Sequence, residues 1–150
     1  MTQHPEPFQI QHRPFAEAQV DIVQVRQTVF QQEQGVDPTL DWDGQDPTCH
    51  HLIAYIAEKP VGVARLRPLA DAKAKLERVA VLKPWRGQGI GTALVQDAIA
   101  FGQTLNLNLL LLHAQLPSVP FYVLLGFSPS GEPFVEANIP HQKMTRPLRY

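Results

Sequence analysis

The sequence predicts a mixed α/β fold, a mostly antiparallel sheet with flanking helices, and three observations predict it. β-rich runs at His51 to Ala57, Val61 to Leu69 and Lys75 to Leu82 succeed one another with short polar breaks, the pattern of an antiparallel meander. On either side of them, Phe15, Ala18, Ile22, Val25 and Val29, and then Ile90, Leu94, Ile99 and Phe101, recur at helical spacing. Between the third strand and the second helix lies a loop with glycines at 87, 89 and 91, so strand, loop and helix stand in that order.

The elements follow in turn. Phe8 and Ile10 alternate with polar residues before Pro14 and read as a short first strand. The first helix is expected from about Pro14 to Gln32. Gly35 to Pro47, with acids at Asp37, Asp41, Asp43 and Asp46, reads as a surface loop. Glu58-Lys59-Pro60 separates the first two strands of the meander as a hairpin turn. Gly89 to Leu105 is the second long helix, and Leu107 to His113 is an apolar strand expected to be buried on both faces. Ser118 to Leu125 fits a short helix closed by Gly126. Phe127 and Gln142 to Leu148 supply final strands, the last of them exposed and able to pair across a homodimer. No repeat and no linker interrupts residues 1–150, which read as one domain.

Composition removes several classes of function. At 150 residues and 44% hydrophobic, the chain can bury a core without disulfides. Thirteen Lys and Arg against fourteen Asp and Glu give a formal charge of -1, unlike a protein that tracks nucleic-acid phosphates. Cys49 is alone, so no internal disulfide or thiolate zinc cluster is available, and a reducing compartment, taken as the cytoplasm, fits. Met1 to Pro14 lacks the basic and apolar regions of a signal peptide, and no run approaches the roughly 18 apolar residues of a membrane span. His50 and His51, adjacent on a strand, point to opposite faces and cannot share one ion, so no metal is expected.

The glycine loop carries the chemistry. A strand running into a glycine loop that opens a helix gathers free N–H groups and the positive end of the helix dipole at one place, which attracts a pyrophosphate. Lys83 and Arg86 add charge at its rim. A Walker loop requires a Gly-Lys pair, which the chain lacks. A dinucleotide fingerprint requires G-x-G-x-x-G early in a βαβ unit, whereas Gly87, Gly89 and Gly91 form G-x-G-x-G after antiparallel strands. A turn that merely reverses the chain is the bland alternative.

Arg86-x-x-Gly89-x-Gly91 resembles the R/Q-x-x-G-x-G/A loop of the GNAT superfamily. Val29-Phe30, Glu33-Gln34, Trp42-Asp43-Gly44-Gln45-Asp46, Arg65-Leu66-Arg67 and Ile139-Pro140-His141 extend the resemblance, over nearly the whole chain, to its ElaA-like branch. The resemblance implies a GNAT-type acyl-CoA N-acyltransferase fold with splayed middle strands, here Lys75 to Leu82 and Leu107 to His113. It also implies acetyl-CoA as co-substrate in the cleft between them, with the thioester against the backbone of Val79 and Val81. The implied cofactor-binding residues are Val79, Ala80, Val81, Arg86, Gly87, Gln88, Gly89, Ile90, Gly91, Thr92 and Phe121.

Acetyl transfer to an amine needs a neutral nucleophile, a polarised carbonyl and a proton for the departing thiolate, but no protein nucleophile. Cys49 is accordingly read as inert. Ser118 to Phe127 resembles the family's A-x-x-F-Y-x-x-x-G-F segment, which makes Tyr122 the expected general acid; the alternative is an aromatic packing beside Phe121. Pro120 departs from that pattern but is tolerated in a first helical turn behind Ser118. Glu33 and Glu77 are the candidate bases, each with the alternative of a plain ion pair. His113 reads as a core or cleft residue, and His141 can line the acceptor side. The acidic loop can favour a cationic acceptor. The expected activity is N-acetylation of a small or peptide primary amine; the alternatives are a non-catalytic acyl-CoA sensor or interaction module, or a GNAT enzyme using a longer acyl chain.

Overall fold

A computed structural model describes residues 7–148. Strand β1 (Gln9–Arg13) pairs antiparallel with β2 (His50–Ile56), and β2 with β3 (Lys59–Leu69). The β2–β3 turn is tighter than expected. Ala57 and Glu58 both take positive φ (47° and 68°), a two-residue turn whose twist suits a hairpin, and Lys59 and Pro60 already belong to β3. Next come β4 (Lys73–Val81) and β5 (Leu109–Gln115), then β6 (Ser128–Pro129), β7 (Phe134–Glu136) and β8 (Ile139–Pro147). The eight-stranded sheet runs β1-β2-β3-β4-β5-β8-β6, with β7 also on β8, and only the β4–β5 pair is parallel.

Helix α1 (Phe15–Arg26) lies on one face of this sheet, where Ile22, Val25 and Val29 pack with Ile53, Tyr55 and Val63. Helix α3 (Ile90–Thr104) covers the other, where Ile90, Leu94 and Ala98 meet Leu52, Ala64 and Leu66. Alternation along β2 and β3 therefore feeds two cores at once. The rings of His50 and His51 follow the same rule, one against Phe101 of α3 and the other against Phe15 of α1.

Several expectations need correction. The first helix is not α-helical to Gln32: from Gln27 to Glu33 it widens into a π-helical segment, with the Thr28 hydroxyl bonded back to the Gln24 carbonyl at 2.8 Å near the junction. The segment after Gly35 is not a solvated surface loop. It contains a short helix α2 (Pro38–Asp41), capped by the Asp37 carboxylate on the Thr39 N–H at 2.9 Å, and it buries Asp41 and Asp46. Two buried guanidiniums pull it inward: Arg26 donates to Asp41 (2.8 Å) and Asp46 (2.6 Å), and Arg65 to Asp46 (3.0 Å) and Asp43 (2.8 Å). Strand β5 is buried on one face only, since Leu110, Leu112 and Ala114 are buried while Leu109, Leu111, His113 and Gln115 are half-buried.

The final strand is not an edge either. β8 pairs with β5 on one side and, at Ile139–His141 and Met144–Thr145, with β7 and β6 on the other, so most of its length is covered. Helix α4 (Val119–Leu124) forms as expected, with Pro120 in its first turn, but the Ser118 side chain makes no capping bond. Gly126 closes it at φ 92°, a left-handed conformation that favours glycine, and a β-carbon there would lie 2.8 Å from Arg146 Nε.

Candidate active site

The site begins at an irregularity in β4. Between the pairs Val63↔Ala80 and Arg65↔Glu77, two residues of β4, Arg78 and Val79, oppose the single residue Ala64, and Arg78 takes φ 57°. Such a bulge bends its strand and adds twist. On the other side of β4, parallel pairing with β5 ends at Leu76↔Leu112. The two strands part beyond that point, and a cavity of about 480 Å³ opens in the gap. Its walls come from Lys75–Val79 of β4, Leu112–Gln115 of β5, Phe30 and Gln34 of the π-helical region, Tyr122 of α4, and Glu136 and His141 of the β7–β8 hairpin. Gln115 Nε2 donates to Gln34 Oε1 at 2.9 Å, tying β5 to the end of that region.

The glycine loop follows β4. Gly87 (φ 78°) and Gly89 (φ 85°) are left-handed, and a β-carbon at either would meet no atom within 4 Å, so the space above the loop is open. The first in-helix bond of α3 runs from Ala93 N–H to Gly89 C=O at 3.0 Å. The N–H groups of Ile90, Gly91 and Thr92 precede it at the positive end of the helix. Buried Gln88 Oε1 has no hydrogen-bond partner among the described residues. This donor-rich, uncrowded turn fits a pyrophosphate. The side chains of Ile90 and Ala80 are buried in the two cores, so only their backbones can serve a ligand. A β-carbon at Gly91 would sit 3.7 Å from Phe121 and 3.8 Å from Val81, and the Phe121 ring lies 4.9 Å from that of Tyr122. Loop, Phe121 and Tyr122 thus form one continuous surface.

Tyr122 is buried, packed edge-on against Phe121 and Phe127, and its hydroxyl has no hydrogen-bond partner among the described residues. Burial pushes its phenol well above the ordinary value of 10.0, so it stays protonated.

The two carboxylates singled out in the sequence are both engaged. Glu77 lines the cavity but receives Arg67 Nε at 2.8 Å, Arg65 Nη2 at 2.9 Å and Lys75 Nζ at 3.3 Å. Burial pushes its carboxyl up, yet Arg65, Arg67 and Lys75 overcome that and hold it below its ordinary value. Glu33 stands outside the cavity lining, exposed, with its two oxygens on Arg86 at 2.6 and 2.8 Å. The hydrogen bond from Arg86 likewise lowers its pKa. Arg86 Nε also donates to Val81 C=O at 2.9 Å, which fixes the guanidinium beside the loop.

Sequence reasoning missed a cluster on the opposite wall. His113 Nδ1 is 3.1 Å from one oxygen of Glu136, and His141 Nε2 is 3.8 Å from the other. His141 Nδ1 lies 2.6 Å from the Ile139 carbonyl, which can only accept, so Nδ1 carries a proton and Nε2 faces Glu136. Phe134 packs against both rings. The sequence signals for this group were the two histidines themselves; nothing in spacing shows that β5 and the β7–β8 hairpin bring them to one carboxylate.

Comparison with known proteins agrees with this geometry. The sequence profile described as the acetyltransferase (GNAT) domain matches residues 17–148. The uncharacterized N-acetyltransferase YjcF of Bacillus subtilis is 35% identical over 127 residues, covering 84% of this chain and 90% of that protein. The crystal structure of Escherichia coli ElaA superposes with a TM-score of 0.83 at 26% identity, covering 93% of this chain and 99% of that one. A GNAT family acetyltransferase from Elizabethkingia anophelis, crystallised with acetyl-CoA bound, shares the fold at a TM-score of 0.71 and 16% identity, covering 94% and 98%. With its bulged β4, splayed β4–β5 pair and glycine loop, the chain belongs to the GNAT acetyltransferase family, and its likeness to ElaA supports the ElaA-like branch.

Proposed function

We propose that the protein transfers the acetyl group of acetyl-CoA to a primary amine by direct attack on the thioester. The observation that carries this reading is the continuity from the open glycine loop, through Phe121, to a phenol in the cavity wall at the parting of β4 and β5. A GNAT relative of the same fold holding acetyl-CoA supports it. In this reading Arg86 and the backbone of Gly87 to Thr92 bind the pyrophosphate, and the backbone of Val79 and Val81, beyond the last β4–β5 pair, orients the thioester.

Each residue then has a defined task. Attack by the amine forms the C–N bond and breaks the C–S bond; the Tyr122 hydroxyl gives a proton to the departing sulfur, and the proton shed by the amine nitrogen, relayed through solvent, restores the phenol. Its burial suits a donor that must stay protonated. Glu77, held by three cations, orders the wall rather than accepting a proton, and Glu33 restrains Arg86. The test is release of CoA thiol from acetyl-CoA across a broad panel of primary amines. Amine-dependent thiol release that falls sharply in Tyr122→Phe supports the reading; acetyl-CoA binding without thiol release on any amine supports a sensor instead.

A further inference from the structure

We propose that the acceptor is an amine that also carries an anionic group, with the anion held by Arg67 and Lys75 and the amine received by Glu136 and its two histidines. This rests on the acetyltransfer reading above. The argument begins with charge. Around the cavity, five cations (Arg26, Arg65, Arg67, Lys75 and Arg78) meet four carboxylates (Asp41, Asp43, Asp46 and Glu77) within 4.0 Å. Asp41 and Asp46 are buried on Arg26, and Asp43 is shared by Arg65 and Arg78. The acidic loop is therefore spent internally and does not draw a cation to the site.

The excess positive charge has a definite address. Arg67 and Lys75 share the single carboxylate of Glu77 and have no other anion among the described residues. Only Nε of Arg67 is used, so both of its terminal nitrogens are available, and both residues line the cavity. Register sets Arg67 opposite Lys75 and Arg65 opposite Glu77 on one face, so this wall is cationic by construction. Two free guanidinium nitrogens beside an ammonium suit a carboxylate, phosphate or sulfonate.

The facing wall has the opposite character. Glu136 lines the same cavity, its partners are the rings of His113 and His141, and no lysine or arginine lies within 4.0 Å of it among the described residues. A carboxylate with only histidine partners suits an ammonium group that must lose a proton before it attacks. From Lys75 on β4 to Glu136 on β7 the sheet takes three steps, through β5 and β8, which at about 4.8 Å per strand gives roughly 14 Å laterally, with Arg67 on β3 one step further. Long side chains reaching inward from both walls leave room for an acceptor whose nitrogen and anion are a few bonds apart. Phe30 and Leu40 supply apolar surface for its carbon skeleton.

The experiment measures kcat/KM for acetyl-CoA consumption with matched acceptors: α- and ω-amino acids, their carboxamides, their decarboxylated amines, and aminoalkyl phosphates and sulfonates. Acetyl-CoA binding is followed in parallel by thermal shift. The proposal predicts at least a tenfold preference for anion-bearing amines over neutral counterparts, and the carboxylate, phosphate and sulfonate arms tell which anion is taken. In Arg67→Gln/Lys75→Gln, and in Lys75→Met alone, that preference should shrink mainly through KM while the acetyl-CoA shift is kept. Equal or better turnover of carboxamides and simple amines overturns the proposal, as does acetyl-CoA binding with no turnover of any anionic amine; both leave the cofactor reading standing. Loss of acetyl-CoA binding in the wild type overturns both readings together.

Discussion

The Glu33 carboxylate holds both terminal nitrogens of Arg86, at 2.6 and 2.8 Å, and so engages the one arginine of the glycine loop from the π-helical segment. A pyrophosphate on that loop competes with Glu33 for the same guanidinium. Exposed pairs of this kind are worth about 0.2–1 kcal/mol. Glu33→Gln should therefore tighten acetyl-CoA binding by up to about fivefold, whereas Arg86→Ala should weaken it. Calorimetric titration of both variants checks this. A Glu33→Gln protein with unchanged affinity and a collapsed kcat would instead make Glu33 the base.

Tyr122→Phe should lower kcat by about 10²-fold or more, the usual scale for loss of a general acid. Its hydroxyl has no protein partner to orphan among the described residues, so stability and the acetyl-CoA dissociation constant should hardly move. Steady-state kinetics with urea denaturation separate the two effects. Equal losses in kcat and in stability would mean a packing role.

Removing one member of the buried ion network leaves its partners short of a hydrogen bond. Asp46 receives Arg26 at 2.6 Å and Arg65 at 3.0 Å, both guanidiniums fully buried. Arg26 keeps Asp41 and Arg65 keeps Asp43 and Glu77, so Asp46→Ala should cost about 1.5–3 kcal/mol, the range for lost hydrogen bonds to a charged group. Chemical denaturation checks the value; a cost under about 1 kcal/mol, typical of a surface pair, would contradict it.

Much of this was legible in the chain. Helical and alternating apolar spacing located α1, α3 and the β2–β4 meander, because those elements bury apolar stripes whose period is local. The loop glycines were legible for a similar reason: positive φ at Gly87 and Gly89 restricts the residue type. The inward fold of Asp41 and Asp46 was not, since acids in a Gly/Pro-rich stretch look solvated until Arg26 and Arg65 arrive from other elements. Nor was the widening of the first helix, because Gln27 to Glu33 keep a helical composition. The His113–Glu136–His141 cluster depends on pairing between β5, β7 and β8, which no local pattern records.

The same network sets an acid limit. Burial pushes the Glu77 and Asp43 carboxyls up, but Arg65 and its neighbours hold both below their ordinary 4.5 and 3.8. The unfolded chain therefore takes up these protons first, and the folded state loses stability as pH falls through about 4. The urea midpoint should begin to fall below about pH 6.5, where the unfolded chain protonates His50 and His51 that burial keeps neutral in the fold, and drop further below about pH 5 as these carboxylates add their part. A midpoint that holds to pH 3 would contradict the assignment of these pairs.

The central claim, an acetyl-CoA site on the Arg86–Thr92 loop, is tested most directly by thermal unfolding with acetyl-CoA, CoA, ATP and NAD in parallel. A ligand at 100 times its Kd stabilises by about 2.7 kcal/mol. The wild type should shift upward with acetyl-CoA and CoA but not with NAD. Gly89→Val, which forces a branched side chain into φ 85° and into the open space above the loop, should lose that shift while still unfolding cooperatively. No shift with either CoA species, or an equal shift in Gly89→Val, would contradict the claim and leave the loop as architecture alone.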